Sequence, residues 1–462
     1  MLFDFKGKNT DLKKEILAGF TTFFAMCYIL FVNGNIFANI PGVTFSAVYI
    51  GTGIATILGT LVLALLSDLP VVQSTSLGIN TFFVFVCCLK YGFTYANSLL
   101  FVFVSGIVFL IFTLTGMRKI LFEALPKCIL NIIPAGIGLF VVFIGFVNSK
   151  ITVADTDLCV TLNEFSIFNG KWANLMPCLV AVLTLFLMII LEKKKVFGGI
   201  LISAVVGTCL YYLLGLTVPD VFKNLHTDFN PVKAFPEFWN ISFMQVFRKG
   251  MDFSAYLAAE GHNTFTLAVA VVTTVFSFCM LSMFDGFGTL LGCCRSTELM
   301  MKNEDGTETV RKMNEAMSSD AIATVLGAVC GTSSQTMYME SSAGINEGGR
   351  TGVTGLTVCA LFAVALFFAP FAVLVPSCVC GAVMIYIGLV IFSDIKNIHW
   401  DDNILAGLMT LVSMTFTGNI SYGIGFGLIS YVFLKIFSGK IREVRFVTWI
   451  VFVIFAFLII IH

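Results

Sequence analysis

The sequence predicts an all-α polytopic membrane protein with about 14 transmembrane spans, arranged as two inverted seven-span repeats. Three observations support this fold class. Hydrophobic residues make up 58% of the 462-residue chain and charged residues 12%, which is about half of the ~25% that is usual in soluble domains. Apolar stretches long enough for a bilayer recur along the whole chain. Two short motifs of the first half also return in the second half.

The candidate spans follow from length and hydropathy, since a helix needs about 20 apolar residues to cross a hydrocarbon core of about 30 Å. In chain order they are 16–32, 44–66, 70–89, 97–115, 129–147, 174–191, 197–216, 265–285, 319–331, 332–345, 352–374, 376–393, 403–417 and 421–437. A further apolar stretch at 446–461 either crosses the membrane or lies in its interface, and its length does not decide between them. The segments 70–80 and 332–346 are rich in Ser, Thr and Gly. We therefore expect short or broken helices in spans 3 and 10.

The charges give an orientation. With the N-terminus in the cytoplasm and an even number of crossings, 20 of the 27 Lys and Arg residues fall on the cytoplasmic side. This bias is what the positive-inside rule requires. The sequence therefore predicts a multi-pass protein of the plasma or inner cell membrane with a cytoplasmic N-terminus.

Several classes of function are disfavoured by composition. Basic and acidic residues are equal in number, 27 of each, whereas a nucleic-acid-binding protein would show a basic patch. The 14 Cys and four His residues contain no CxxC pair and no metal-ligand spacing. We expect no nucleic-acid partner, no cofactor and no metal centre.

The first repeated motif reads TTFFAMCYILFVNG at 21–34 and TTVFSFCMLSMFDG at 273–286. It aligns span 1 with span 8 and places Asn33 opposite Asp285. Because each repeat unit then contains an odd number of spans, the two units must have opposite topology. Inverted repeats of this kind indicate a transporter with its site near the middle of the membrane, at broken helices.

The second motif reads STSLGIN at 74–80 and ESSAGIN at 340–346. It aligns span 3 with span 10 and places Ser74 opposite Glu340. Non-helical backbone survives at this depth only when protein shields it or when it lines a cavity. We therefore expect Asn80 to cap a half-helix close to the ligand.

Two acidic residues are expected inside the spans: Asp285, near the end of span 8, and Glu340, within span 10. Insertion of an acid costs about 2.5–3.5 kcal/mol, so such residues mark functional sites by default. We expect both to bind a substrate or an ion. The alternative is a structural acid that pairs with a backbone donor.

The sequence resembles the adenine/guanine/hypoxanthine permease branch of the nucleobase–cation symporters, in the xanthine/uracil permease superfamily. The resemblance covers nearly the whole chain. Four segments carry it: GFTTFFAMCYILFVN (19–33), PKCILNIIPAGIGLFVVFIGF (126–146), FDGFGTLLG (284–292) and GTSSQTMYMESSAGINEGGRTG (331–352). The chain departs from the family in span 3, where Ser74-Thr75-Ser76 replaces a typical Ala-Pro-Gly.

The resemblance implies a core domain that carries the site and a gate domain against which the core moves in an elevator-like way. The core domain corresponds to 16–115 and 265–374. The gate domain corresponds to 129–216 and 376–437, and 446–461 is an additional C-terminal segment.

The resemblance also implies the site residues. The family's acids of spans 8 and 10 fall on Asp285 and Glu340, which are the candidates for both substrate binding and cation coupling. The remaining candidate substrate ligands are the Asn of span 3, the two neighbours of Glu340, and a residue one turn after Asp285, namely Asn80, Met339, Ser341 and Thr289.

These expectations combine into a secondary-active importer of a purine nucleobase such as hypoxanthine, guanine or adenine. A carboxylate pair accepts the N–H groups of a purine, and a buried acid can carry the coupling cation. We expect a proton, with Na⁺ as the open alternative, and leave a homodimer open. The alternatives for function are a transporter of uracil, xanthine or a small anion, a passive channel, and, remotely, an intramembrane enzyme. An enzyme would need a nucleophile and a base together, and no His falls in a predicted core span.

Overall fold

The described part of the chain is built almost entirely from helices and also contains three pairs of very short antiparallel strands. Connecting segments that carry part of the predicted charge bias lie outside the described residues. The computed structural model describes residues 10–117, 126–155, 159–163, 172–218, 221–222, 233–258, 263–294, 297–302, 308–397, 403–417 and 420–461.

The described part of the first half contains two nearly continuous helices, a broken third span and five longer helices. Its elements are α1 (Leu12–Met26), α2 (Tyr28–Phe37), α3 (Phe45–Ser67), β1 (Gln73–Thr75), α4 (Leu77–Thr81) continued by a π-helix (Phe82–Lys90), α5 (Tyr95–Leu114), α6 (Lys127–Asn148), β2 (Thr152–Asp155), β3 (Cys159–Leu162), α7 (Trp172–Lys193) and α8 (Gly199–Leu214) with a 3₁₀ turn (Gly215–Thr217).

Short helices precede the second half, which repeats the pattern. The elements are α9 (Ala234–Glu237) with a π turn (Phe238–Ser242), α10 (Gln245–Lys249), α11 (Ser254–Leu257), α12 (Thr264–Cys294), β4 (Met300–Lys302), β5 (Glu308–Val310), α13 (Met313–Val329), β6 (Gln335–Met337), α14 (Ser341–Asn346), α15 (Gly352–Ala365), a 3₁₀ turn (Leu366–Phe368), α16 (Ala369–Ala372), α17 (Ser377–Phe392), a 3₁₀ turn (Ser393–Asn397), α18 (Ile404–Thr417), α19 (Ile420–Phe437), a 3₁₀ turn (Ile441–Glu443) and α20 (Phe446–Ile461).

The predicted all-α polytopic fold is confirmed. Seven helices of the described chain are long and apolar enough to cross a membrane, and five shorter apolar helices accompany them. The two remaining predicted spans correspond to α13 and to the β6–α14 segment. The stretch 446–461 forms the helix α20.

Two predicted boundaries are wrong. The helix of span 8 continues beyond Asp285 to Cys294, so this acid lies in the helix interior. The helix of span 9 begins at Met313 rather than at 319. Its first turns are polar but partly buried against neighbouring helices, so hydropathy alone does not mark where it starts.

Spans 3 and 10 cross each other as extended backbone. Strand β1 pairs with β6 in an antiparallel register, in which Ser74 and Thr336 lie directly opposite each other. Hydroxyl groups of the flanking helices support the crossing, since Thr56 bonds Ser74 at 2.7 Å and Thr324 bonds Ser334 at 2.9 Å. This confirms the two broken spans and shields their free backbone groups.

Ser76 and Glu340 hold equivalent places in the two repeats, because each is the N-cap residue of the short helix that follows its strand. An alignment on the starts of these helices differs by two residues from the one given by the shared Gly-Ile-Asn letters, which places Ser74 opposite Glu340.

The contact between α6 and α17 is reciprocal and very close. A Cβ atom added at Gly138 would lie 2.7 Å from the Gly388 carbonyl oxygen, and one at Gly388 would lie 2.6 Å from the Gly138 carbonyl oxygen. Gly145 and Gly381 face each other in the same reciprocal way. Small residues allow two helix backbones to approach this closely, as is common within membranes.

Helix packing divides the molecule into two groups. The helices of spans 1, 2, 4, 8, 9 and 11 pack mainly against one another, around the crossed spans 3 and 10. The helices of spans 5–7 and 12–14 form the second group, centred on α6 and α17. The groups meet where α4 approaches α6 and where α2 approaches α17.

Candidate substrate site between the crossed spans

Glu340 lies at the start of the short helix α14, immediately after the crossing strand β6. It is the N-cap residue of that helix, and its side chain remains partly accessible. Its Oε1 accepts a hydrogen bond from the hydroxyl group of Tyr28. Tyr28 is the first residue of α2, after the interruption of span 1 at Cys27. An acid of the second repeat is therefore held by a tyrosine of the first.

Asp285 is held in a similar way, by a residue that follows the other crossing strand. Its Oδ2 accepts a hydrogen bond of 2.7 Å from Ser76, which follows β1. The side chain is also partly accessible. Both predicted acids thus lie beside the crossed strands, and each bonds to the opposite repeat.

One face of α12 borders this region. Asp285, Gly288, Thr289 and Gly292 share that face because they are spaced three or four residues apart. A Cβ atom added at Gly288 would meet no atom within 4 Å, whereas one at Gly292 would lie 2.6 Å from the Cε of Met339. The face is therefore open beside Asp285 and Thr289 and covered by Met339 one turn later.

Two tyrosines connect the acids to their surroundings. Tyr338 is close enough to interact electrostatically with both Asp285 and Glu340, and its hydroxyl donates to the Thr75 carbonyl at 2.6 Å. Tyr386 of α17 interacts electrostatically with Glu340 from the second helix group. Glu340 therefore faces the boundary between the two groups.

The other predicted ligands have different environments. Asn80 is fully buried, donates to Asn33 Oδ1 at 2.6 Å and accepts from Ser333. Ser341 is also fully buried, and its Oγ accepts from the backbone N–H of Val72 at 3.0 Å. These two side chains join spans 1, 3 and 10. Met339 and Thr289 are partly accessible beside the acids.

The structure adds residues that the sequence analysis missed. Tyr28 and Ser76, which bind the two acids, had no signal beyond their place in the repeated motifs. The count of two intramembrane acids is wrong, because Asp320 is fully buried in the interior of α13. It lies within the predicted span 319–331, so an inspection of every acid in that span would have found it.

The described residues contain no group of three or more His, Cys, Asp or Glu side chains placed to hold a metal ion. In spans 8, 9 and 10 the carboxyl groups have neutral neighbours instead: the hydroxyl groups of Tyr28 and Ser76 and the amide of Gln73. Such an arrangement can accept hydrogen bonds from a neutral, N–H-rich ligand, or can bind a cation.

Residues 13–426 match the Permease family, that of the xanthine/uracil permeases. Over 452 residues the chain is 34% identical to the guanine/hypoxanthine permease PbuO of Bacillus subtilis (strain 168), with 96% of each chain covered. It is 30% identical over 448 residues to the adenine permease AdeP of Escherichia coli (strain K12), covering 96% of this chain and 91% of that protein.

The fold also resembles solved structures of distant sequence. The transmembrane domain of a cyanobacterium bicarbonate transporter, BicA, superposes with a TM-score of 0.59 at 15% identity. The match covers 93% of this chain and 98% of that chain. At this identity the likeness concerns the fold alone.

Proposed function

Because the chain belongs to the Permease family of nucleobase transporters, which it matches over residues 13–426, we propose that it imports purine nucleobases by cation symport. Membership makes it a multi-pass membrane transporter and not an enzyme. Hypoxanthine, guanine and adenine are the proposed substrates, since the similar permeases PbuO and AdeP are named for these bases.

The observation that carries the proposal is the placement of two partly accessible carboxyl groups beside the crossed strands. Glu340 and Asp285 are each held by one hydroxyl donor, which leaves further acceptor capacity on both groups. A purine presents several N–H donors on a planar, neutral ring. A charge-assisted hydrogen bond from such a donor to a carboxylate is stronger than a neutral one.

The same groups disfavour an anion as the substrate. No Lys or Arg of the described chain forms an ion pair with Asp285 or Glu340, so nothing there compensates a second negative charge. Uracil and xanthine, which also carry N–H donors, remain the alternative substrates within the same chemistry.

We propose that a proton is the coupling ion and that Asp285 and Glu340 take part in the coupling. The first helix group, 16–115 with 265–374, would act as the core domain. The second, 129–216 with 376–437, would act as the gate, and 446–461 is additional. The position of Glu340 opposite Tyr386 of the gate supports this division, because movement of the core would carry the ligand past the gate.

The proposed setting is the cell's plasma or inner membrane, with the N-terminus in the cytoplasm, and a homodimer is compatible with it. The test is uptake of labelled hypoxanthine, guanine and adenine into cells that lack their own permeases, with unlabelled purines, uracil, xanthine and bicarbonate as competitors. We expect concentrative purine uptake in which purines compete best. Preferential competition by bicarbonate would favour an anion transporter.

A further inference from the structure

A fully buried acid lies next to the partly accessible Asp285. Asp320 of α13 is fully buried, and its Oδ1 accepts a hydrogen bond of 3.2 Å from the Gln73 side chain. Its Oδ2 has no hydrogen-bond partner. A Cβ atom added at Gly286 would lie 2.1 Å from this Oδ2, so the carboxyl group packs directly against the α12 backbone beside Asp285. The two acids are close enough to interact electrostatically.

The inverted repeat contains a neutral version of this acid pair. Asn33 and Asp285 lie at equal distances from the first residues of their helical segments, Leu12 and Thr264. Thr52 and Asp320 lie likewise at equal distances from the first residues of α3 and α13. In the first repeat Asn33 donates directly to Thr52 at 2.6 Å. In the second repeat both positions are acids, and two carboxylates cannot donate to each other.

Two further polar atoms without hydrogen-bond partners belong to side chains next to Asp320. They are the Oε1 of Gln73 and the Oγ1 of Thr336, and both side chains are more than nine-tenths buried. The Thr336 Oγ1 lies 3.6 Å from the same added Cβ position at Gly286 that Asp320 Oδ2 approaches. Buried polar groups of native proteins almost always have a partner. Two such oxygens beside two acids therefore favour the binding of a cation.

Positive charge lies on one element packed against α13, but only at the end of that helix. Helix α10 carries the exposed Arg248 and Lys249 and meets α13 at Val329, nine residues from Asp320. Of the other described elements that pack against α13, α12 contributes Asp285, and the segment after β6 contributes Tyr338 and Glu340. The tyrosines of α3 and α5, Tyr49 and Tyr95, donate their hydroxyl groups to backbone carbonyls. Neither Asp285 nor Asp320 has a Lys or Arg partner.

We propose that Asp320, with Asp285 and the unpartnered oxygens of Gln73 and Thr336, forms the binding site of the coupling cation, separate from the nucleobase ligand Glu340. The ligand is one monovalent inorganic cation, a sodium ion or a proton, which neutralises one of the two acids. The role of this site in transport rests on the proposed function, to which it adds the residues that bind the coupling cation. The first repeat needs no cation because its Asn33–Thr52 pair is neutral and hydrogen-bonded.

Two assays with purified protein in liposomes separate exchange of the purine from its cation-driven uptake. Labelled purine is followed in counterflow, which needs no driving ion gradient, and in net uptake driven by an imposed gradient. One arm uses a Na⁺ gradient at equal pH, and the other uses a pH gradient without Na⁺. We expect Asp320→Asn to continue counterflow and to lose concentrative uptake in whichever arm drives the wild type. Concentrative uptake at the wild-type level by Asp320→Asn would overturn the proposal, whereas absent counterflow by the wild type would instead contradict the proposed function.

A matched pair of variants separates a ligand role from a structural one. Thr336→Val and Thr274→Val each remove a buried hydroxyl that has no partner. Thr274 lies about three turns from Asp285 on the same helix, or roughly 16 Å. We expect the cation concentration for half-maximal uptake to rise at least fivefold in Thr336→Val and to stay unchanged in Thr274→Val. Equal values in both variants would contradict a cation site at Thr336.

Thermal unfolding reports binding of the cation without any nucleobase. The midpoint of thermal unfolding of detergent-purified protein is compared in NaCl and choline chloride, and across pH. We expect the wild type to respond to Na⁺ or to pH, and Asp320→Asn to lose that response. A wild type that responds to neither, or a variant that responds equally, would overturn the proposal.

Discussion

Ser76 and Glu340 occupy equivalent positions in the two halves of the fold. Each is the N-cap residue of the short helix that follows a crossing strand, and each hydrogen-bonds to the opposite repeat, Ser76 to Asp285 and Glu340 to Tyr28. The two positions are equivalent, but only Glu340 carries an acidic group. The acid is on the half-helix in one repeat and on the long helix in the other, so both carboxyl groups come to lie beside the same crossing.

The first prediction concerns Glu340. Replacement by Gln keeps the size of the side chain and removes the charge-assisted hydrogen bond to substrate, which is worth about 1.5–3 kcal/mol. Apparent affinity for purine should fall at least about tenfold. The measurement is concentration-dependent uptake normalised to protein in the membrane, with the exposed Glu347→Gln as the matched control. Equal affinities in Glu340→Gln and in the wild type would remove Glu340 from the substrate site.

The second prediction concerns Asp285. Asp285→Asn makes this position identical to its repeat partner Asn33, and a neutral amide cannot release and take up a proton. If the acid couples transport to the cation, the variant should exchange purine but lose concentrative, pH-dependent uptake. If it is mainly a substrate ligand, exchange and binding should fall together. Normal concentrative uptake by well-expressed Asp285→Asn protein would contradict both roles.

The third prediction concerns movement of the core against the gate. Ser342 follows Glu340 on α14 and is partly accessible, so a cysteine there should change its reactivity when substrate shifts the core. Few native cysteines need to be replaced in this labelling variant, because the described free cysteines are buried except Cys209. Cys209 and Cys159 would be replaced by Ser. The measurement is the rate of maleimide labelling of Ser342→Cys with and without hypoxanthine.

The control for movement is Ser254→Cys on the exposed helix α11. Its labelling rate should not depend on substrate. A Ser342→Cys rate that responds to neither purine nor cation would favour a static channel.

The fourth prediction concerns stability. Glu15 is fully buried and accepts hydrogen bonds from the backbone N–H groups of Arg350 at 2.8 Å and Thr351 at 3.1 Å, and from Thr354 Oγ1 at 2.5 Å. Glu15→Ala leaves these donors unpaired, and each unsatisfied buried donor costs about 1–3 kcal/mol. The midpoint of thermal unfolding in detergent should fall by several degrees. Glu347→Ala, on the exposed end of α14, should leave it unchanged.

Much of the fold was accessible from sequence because the bilayer constrains it strongly. Apolar length predicts the spans, and the density of Ser, Thr and Gly predicts the interruptions in spans 3 and 10. Asp285 and Glu340 stand out because charge in an apolar segment is rare. These signals are local, and each can be read within one span.

What the sequence did not predict depends on contacts between distant segments. The bonds of Tyr28 to Glu340 and of Ser76 to Asp285 join residues more than 200 positions apart. Asp320 lies inside the predicted span 319–331 but is its second residue, next to the polar turns with which α13 begins, and it was not counted among the acids of the spans. The starts of the two short helices align Ser76 with Glu340, two residues away from the alignment that the shared Gly-Ile-Asn letters give.

Transport of purines across a membrane by this chain is tested most directly by counterflow with the purified protein. Liposomes that contain the protein are loaded with unlabelled hypoxanthine and diluted into a trace of labelled hypoxanthine. We expect a transient accumulation of label that adenine and guanine suppress and that protein-free liposomes do not show. No accumulation of labelled hypoxanthine, adenine or guanine by well-folded, reconstituted protein would contradict it.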